Sequence, residues 1–276
     1  MTRALDPKGR ETAMNYEDLR KTLSIQGDSV SINLGTLGAE VDALLRSVYL
    51  GRSVMIREAR PGPGDGTNNE VVISGRTAFL STPYPLGLPV LATFTLDGTT
   101  VHVLIQYTMV GRSMPTGSWK FSQSFPHLPG LFNYARIQPD GSVMSPLDDL
   151  SFVDASFFAT SRGGTEPGYG ISLMPGLNFA SRIRPSDLMG VFQQVLFGTS
   201  DTLVLSGPIF MPDPAIKLPP RRPLDPDHFP WSAEVVTPVP GIMLKAPLKA
   251  KPLTLGGKLT FQATEFRIYN RSPMTG

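Results

Sequence analysis

The densest run of chemistry-bearing side chains in this 276-residue chain is Asp225-Pro226-Asp227-His228, followed by Phe229-Pro230-Trp231. A carboxylate beside an imidazole can hold one tautomer and raise its basicity. This run is therefore where a hydrolase-like enzyme would place a general base, with His228 as base and Asp225 or Asp227 orienting it. Asp-Pro is also ordinary turn chemistry, and neighbours in sequence need not converge in space. His102 lies mid-strand in Val101-His102-Val103 and reads as a structural histidine. His127 lies in a proline-rich turn. The balance leans away from an enzyme.

Asp148, Asp149 and Asp154 raise the question of a metal. Successive residues of an extended chain project to opposite faces, so a turn before a strand is the better reading of the Asp-Asp pair. The chain has no Cys, which excludes disulfides and thiolate ligands or nucleophiles. It carries no Gly-x-Ser-x-Gly, no phosphate-binding loop, no Gly-x-Gly-x-x-Gly opening a helix and no His-Glu-x-x-His. No metal and no cofactor is expected. For binding, Leu218-Pro219-Pro220-Arg221-Arg222-Pro223 has the composition of a polyproline-II ligand, with Arg221 and Arg222 as its charged contacts. The same run serves equally as a rigid spacer. Trp119 and Trp231, each shortly before a Pro-Gly pair, are the other binding candidates.

The elements that must position these residues come in two series. Val71-Val72-Ile73-Ser74-Gly75 returns as Leu203-Val204-Leu205-Ser206-Gly207, 132 positions later. Val41, Leu44, Leu45 and Val48 share one helical face, closed by Gly51. Leu188, Val191, Phe192 and Val195 repeat that spacing 147 positions later, closed by Gly198. Pro129-Gly130 returns as Pro240-Gly241 at an offset of 111. Leu150-Ser151-Phe152 with Phe157 returns as Leu259-Thr260-Phe261 with Phe266 at 109. The offset falls only between matched elements, so the length differences sit in loops, as duplication of a folded unit requires. The domain reading is an N-terminal arm over 1–28, a first copy over 29–165 and a shorter second copy over 166–276. The second copy carries a proline-rich insert at 208–230, where the first carries a hairpin.

Within the first copy, the period of two predicts a strand over 30–34, and the apolar stripe predicts a helix over 39–50. The run 60–69 holds five Gly and Pro residues among charged and Asn residues, and 59–70 is expected to be a mobile loop. Strands follow over 71–80, 90–96, 99–109 and 150–160, with Asp97-Gly98 as a type I′ turn pair. In the second copy, strands are expected over 171–174 and 177–183, and a helix over 188–197 with Ser186 as N-cap.

Only 17% of residues are charged, against 27 Gly and 27 Pro, which suits short strands joined by turns. The class is α+β and β-rich: two divergent tandem copies of a mostly antiparallel module, each with one short amphipathic helix packed on its sheet. The net charge of +2 is scattered, unlike the basic stripe of a nucleic-acid binder, so no nucleic acid is expected. The N-terminus has no apolar signal core and no run reaches membrane-spanning length, so the default compartment is cytoplasmic. The leading function is a non-enzymatic structural or binding module. Its partner would be protein, by self-association or within a larger assembly. The alternatives are a carrier of an apolar small molecule or lipid between sheet and helix, with Met174, Met189 and Met243 lining its pocket, and the hydrolase centred on His228.

Overall fold

The computed structural model describes residues 14–66, 69–78, 87–110, 152–184, 202–210 and 241–247. It also describes residues 121 and 150 and the short stretches 136–137, 143–144, 253–255, 259–261 and 265–270. Within them the chain is β-rich, with two helices. It divides into two compact units, residues 1–109 with 156–178, and residues 110–155 with 179–276.

The first unit opens on helix α1 (Tyr16–Thr22), which is short but well capped. The Asn15 side chain accepts the Asp18 N–H at 3.0 Å. Glu17 and Asp18 sit at the positive end, and Arg20 and Lys21 at the negative end. Strand β1 (Ser29–Ile32) buries Val30 and Ile32. Helix α2 (Ala39–Ser47) buries the expected stripe of Val41, Leu44, Leu45 and, just past its end, Val48. It stops short of the predicted residue 50. Leu50 and Gly51 both take positive φ, and the Gly51 N–H turns back to the Leu45 carbonyl at 2.8 Å.

Strands β2 (Val54–Pro61), β3 (Glu70–Thr77), β4 (Leu88–Asp97) and β5 (Thr100–Val110) follow, and β1 to β5 pair in chain order as an antiparallel meander. Alternation decides its core. Val71, Phe94 and Val103 stand opposite one another and are all buried, as are Ile73, Ala92 and Ile105 in the next row. The hairpin between β4 and β5 forms, but its turn differs from expectation by one residue. Asp97 pairs with Thr100, so Gly98 and Thr99 are the central residues. Gly98 takes φ 60 at the first of them, the position a type II′ turn reserves for glycine.

The loop expected over 59–70 is held instead. β2 runs on to Pro61, and the Gly62 N–H bonds the Val72 carbonyl at 2.7 Å. The Asp65 carboxylate accepts the Val72 N–H at 3.0 Å, and the Gly66 N–H reaches the Glu70 carbonyl at 3.0 Å. Glycine and proline here shape tight turns, and one Asp side chain stands in for a missing strand partner. Residues 67–68 lie outside the described residues.

Strands β6 (Arg136–Ile137) and β7 (Val143–Met144) form one small ladder. Strand β8 (Phe152–Thr160) buries every residue from Ala155 onward, and its second half belongs to the first unit. A small hairpin of β9 (Gly164–Glu166) and β10 (Ile171–Leu173) precedes β11 (Gly176–Ile183). In the second unit the start of β8 and the rest of β11 are followed in the sheet by β12 (Leu203–Phe210), β13 (Gly241–Pro247) and β16 (Glu265–Asn270). A two-stranded ladder of β14 (Leu253–Leu255) and β15 (Leu259–Phe261) lies between β13 and β16 in sequence. Phe179 centres this core, meeting Phe121 edge-on at 4.9 Å and Phe152 at 5.9 Å. The helix expected over 188–197 lies outside the described residues.

Two strand glycines are fixed by close approach. A Cβ on Gly75 would collide with the Arg57 carbonyl oxygen and the Ile56 side chain, and a Cβ on Gly207 with the Met243 carbonyl oxygen. Gly75 lies at a bulge, where the β2–β3 register shifts between Arg57 and Arg60, whereas the β12–β13 register is the same on both sides of Gly207, from Ser206–Lys245 to Ile209–Ile242. Gly75→Ala and Gly207→Ala should each destabilise the protein by about 1–3 kcal/mol in denaturant titration. Gly164→Ala, with open space around it, should stay within about 0.5 kcal/mol. Equal midpoints for all three variants would contradict the packing described.

Candidate functional site

Most residues singled out from sequence lie outside the described residues: His228, Asp225, Asp227, Trp119, Trp231, Arg221, Arg222, His127, Asp148 and Asp149, and Met189 of the carrier reading. Of those that are described, Met174 and Met243 are about half exposed. Asp154 forms an ion pair with Arg182 and also accepts the Arg182 backbone N–H at 2.9 Å, while its own carbonyl accepts the Ser181 hydroxyl. It therefore serves to join β8 to β11. Among the described residues no three His, Asp or Glu side chains converge as a metal site.

His102 lies at the centre of a polar cluster. It follows the β4–β5 turn and pairs across the strands with Thr95, which in turn pairs with Glu70. The Thr95 hydroxyl donates to the Glu70 carboxylate at 3.2 Å, and the Tyr16 hydroxyl donates to the Glu70 carbonyl at 3.2 Å, tying α1 to the same row. The imidazole Nδ1 lies 2.6 Å from the Glu40 carboxylate in the first turn of α2. A carboxylate only accepts, so Nδ1 carries the hydrogen. On the other side Nε2 faces Asp97 at 3.9 Å, and Asp97 is 3.3 Å from Arg162.

That arrangement is a clamp. A general base needs one ring nitrogen aimed at a substrate proton, yet both nitrogens of His102 point at carboxylates. The nearby Ser161 hydroxyl is engaged by the Val103 N–H at 3.0 Å. His102 is only 12% exposed, while Asp97 is 70% exposed. The inner Glu40 contact therefore contributes more than the outer pair, which solvent screens to less than about 1 kcal/mol. The reading of His102 as structural describes this geometry. Its partners carried no signal of their own in the sequence, where Glu40 reads as a first-turn acid and Asp97 as a turn residue.

A second tie holds the other end of α2. The hydroxyls of Tyr49, just past α2, and Tyr107, on β5, form a short hydrogen bond in the core. Burial pushes both phenols well above their ordinary range. α2 is thus bound to β5 twice, by Glu40 to His102 and by Tyr49 to Tyr107. The phenols give the protein an alkaline limit. Their folded-state affinity for protons exceeds that of the unfolded chain, so their stabilisation is complete below about pH 10, where free tyrosine ionises, and fades as pH rises further. Melting temperature should fall above about pH 10, and Tyr49→Phe with Tyr107→Phe should flatten that fall. An unchanged slope in the double variant would contradict the assignment.

The third candidate surface is strand edge. In the first unit the terminal strand β1 pairs with β2, and in the second unit the terminal strand β16 pairs with β13. Neither pairs with a further strand among the described residues. No described helix is long and apolar enough to cross a membrane. No protein-family model matches this chain, and neither a curated protein nor a solved structure matches it.

Proposed function

We propose that this chain is a non-enzymatic assembly module made of two copies of one β-rich unit, over 29–165 and 166–276, and that it works by offering its sheet edges to further protein. The observation that carries the reading is the pair of terminal strands β1 and β16, each paired with one strand among the described residues, β1 having only the Gln26–Ser29 bridge on its outer side. An edge strand presents a row of N–H and C=O groups that can bind an added strand through its backbone.

Several matches support the two-copy part. β1 begins at Ser29 and β11 at Gly176, the 147-residue offset of the helical stripes. Val30 and Ile32 on β1 are buried, and so are Leu177 and Phe179 on β11. At the 132-residue offset, Val71, Ile73 and Thr77 on β3 and Leu203, Leu205 and Ile209 on β12 are all buried. Gly75 and Gly207 fall at that same offset, though Gly75 meets a carbonyl oxygen of β2 and Gly207 one of β13, on the other side of its strand.

Amide hydrogen exchange on dilute monomer tests the carrying observation. Edge strands bond alternate amides inward and leave the rest to solvent. The outward amide of Ser31 on β1, where the Ser29 N–H is already bonded to the Gln26 carbonyl, and half of those in Glu265–Asn270 should exchange within seconds, while those of β4 and β5 stay protected for hours. Full protection of both terminal strands in the monomer would mean that the chain covers its own edges, and the reading would fail.

A further inference from the structure

We infer that the solvent face of β2 and β3 carries a binding site for a phosphate group, formed by Arg57, Arg60 and Arg76. Arg57 stands directly opposite Arg76, and Arg60 directly opposite Ser74, two residues before Arg76 on β3. Residues opposite one another project from the same face of a sheet, with Cβ atoms about 5 Å apart. This is the face turned away from Val71, Ile73 and Thr77, which are buried. A bulge brings Arg57 and Arg60 to it together. Residues three apart on an unbroken strand project to opposite faces. Here the β2–β3 register shifts between the two arginines, and Glu58 within the bulge takes φ 50, a conformation uncommon outside glycine. The same bulge keeps Ile56 and Ala59 both buried on the core side.

The charge on this face is left without a counter-charge. Like charges directly opposite across a strand pair repel one another. Arg57 and Arg60 are exposed, and among the described residues the side chain of neither has a hydrogen-bond or ion-pair partner, Glu58 included. Arg162, Arg182 and Arg267, by contrast, each meet a carboxylate. Arg76 is half-buried and donates from Nη2 to the Gly87 carbonyl at 3.0 Å, which fixes its guanidinium in place. A phosphate monoester fits this arrangement better than a carboxylate. It brings about two negative charges near neutral pH and three acceptor oxygens, so that each arginine meets an oxygen of its own. Guanidinium forks also match phosphate geometry bidentately.

Amide NMR of the whole chain tests the site, with inorganic phosphate titrated near neutral pH against sodium chloride of equal ionic strength. Phosphate should shift the amide signals of Arg57, Arg60, Ser74 and Gly75, and chloride should leave them in place. Arg57→Gln and Arg60→Gln should each weaken phosphate binding about tenfold, the loss of one charge-assisted contact. Arg46→Gln, which removes an exposed arginine on α2, should leave the affinity unchanged. N-acetylglutamate should bind roughly tenfold more weakly than phosphate, since it brings fewer charges to the same arginines. O-phosphoserine separates two sources of the same chemistry: tighter binding than inorganic phosphate assigns the site to a phosphorylated protein segment, and equal binding to free phosphate. Arg57→Gln in chloride buffer should melt no lower than the unaltered chain, because it relieves a like-charge opposition. Equal shifts with chloride, unchanged affinity in both arginine variants, or N-acetylglutamate bound as tightly as phosphate would overturn the inference. So would a lower melting temperature for Arg57→Gln, which would make that arginine a support of the sheet.

Discussion

A strand inside a sheet satisfies its backbone on both sides; a strand at the end satisfies it on one. Among the described residues, β1 and β16 stand at the ends of their units' sheets and are subject to that constraint. Proteins that keep such edges from indiscriminate pairing shorten them or charge them. β1 has four residues, and β16 carries Glu265 and Arg267, which bond each other. These features disfavour promiscuous association.

The interior depends on how tightly neighbouring strands are drawn together. At Gly75 and Gly207 a carbonyl oxygen occupies the space of a Cβ, so glycine is required by packing rather than by dihedral freedom. In the first unit α2 cannot leave the sheet without breaking two unlike bonds, the surface-linked Glu40–His102 contact and the buried Tyr49–Tyr107 contact. The second is the more consequential, since a buried hydroxyl deprived of a partner keeps its full desolvation cost. Polar chemistry here serves to fasten elements to one another, which is why the best-formed histidine site in the described residues is a clamp.

Periodicity made the strands and α2 legible, because burying one face of an element leaves a mark at fixed spacing. Val71, Ile73 and the odd-numbered residues of β5 show it plainly. Turn chemistry was legible in kind and less so in place. Asp97-Gly98 marked the hairpin, yet pairing begins one residue later than expected, since strand register settles which two residues form the turn. The segment around Asp65 misled for a physical reason. Composition reports which dihedrals are accessible, and cannot report that Asp65 and Gly62 both bond Val72. The clamp was illegible for a related reason: Glu40 and His102 are 62 residues apart, and only the fold brings them to 2.6 Å. The sites first suggested by residue type, around His228 and in the Arg221-Arg222 segment, lie outside the described residues.

We hold that one unit occurs twice, and an experimental structure of the whole chain tests this most directly. Superposing Gly207 on Gly75, with β12 on β3, should bring residues 188–197 onto α2 as a helix burying Leu188, Val191, Phe192 and Val195. A structure in which those residues are not helical, or in which they lie on a different part of their sheet from α2, would contradict the duplication.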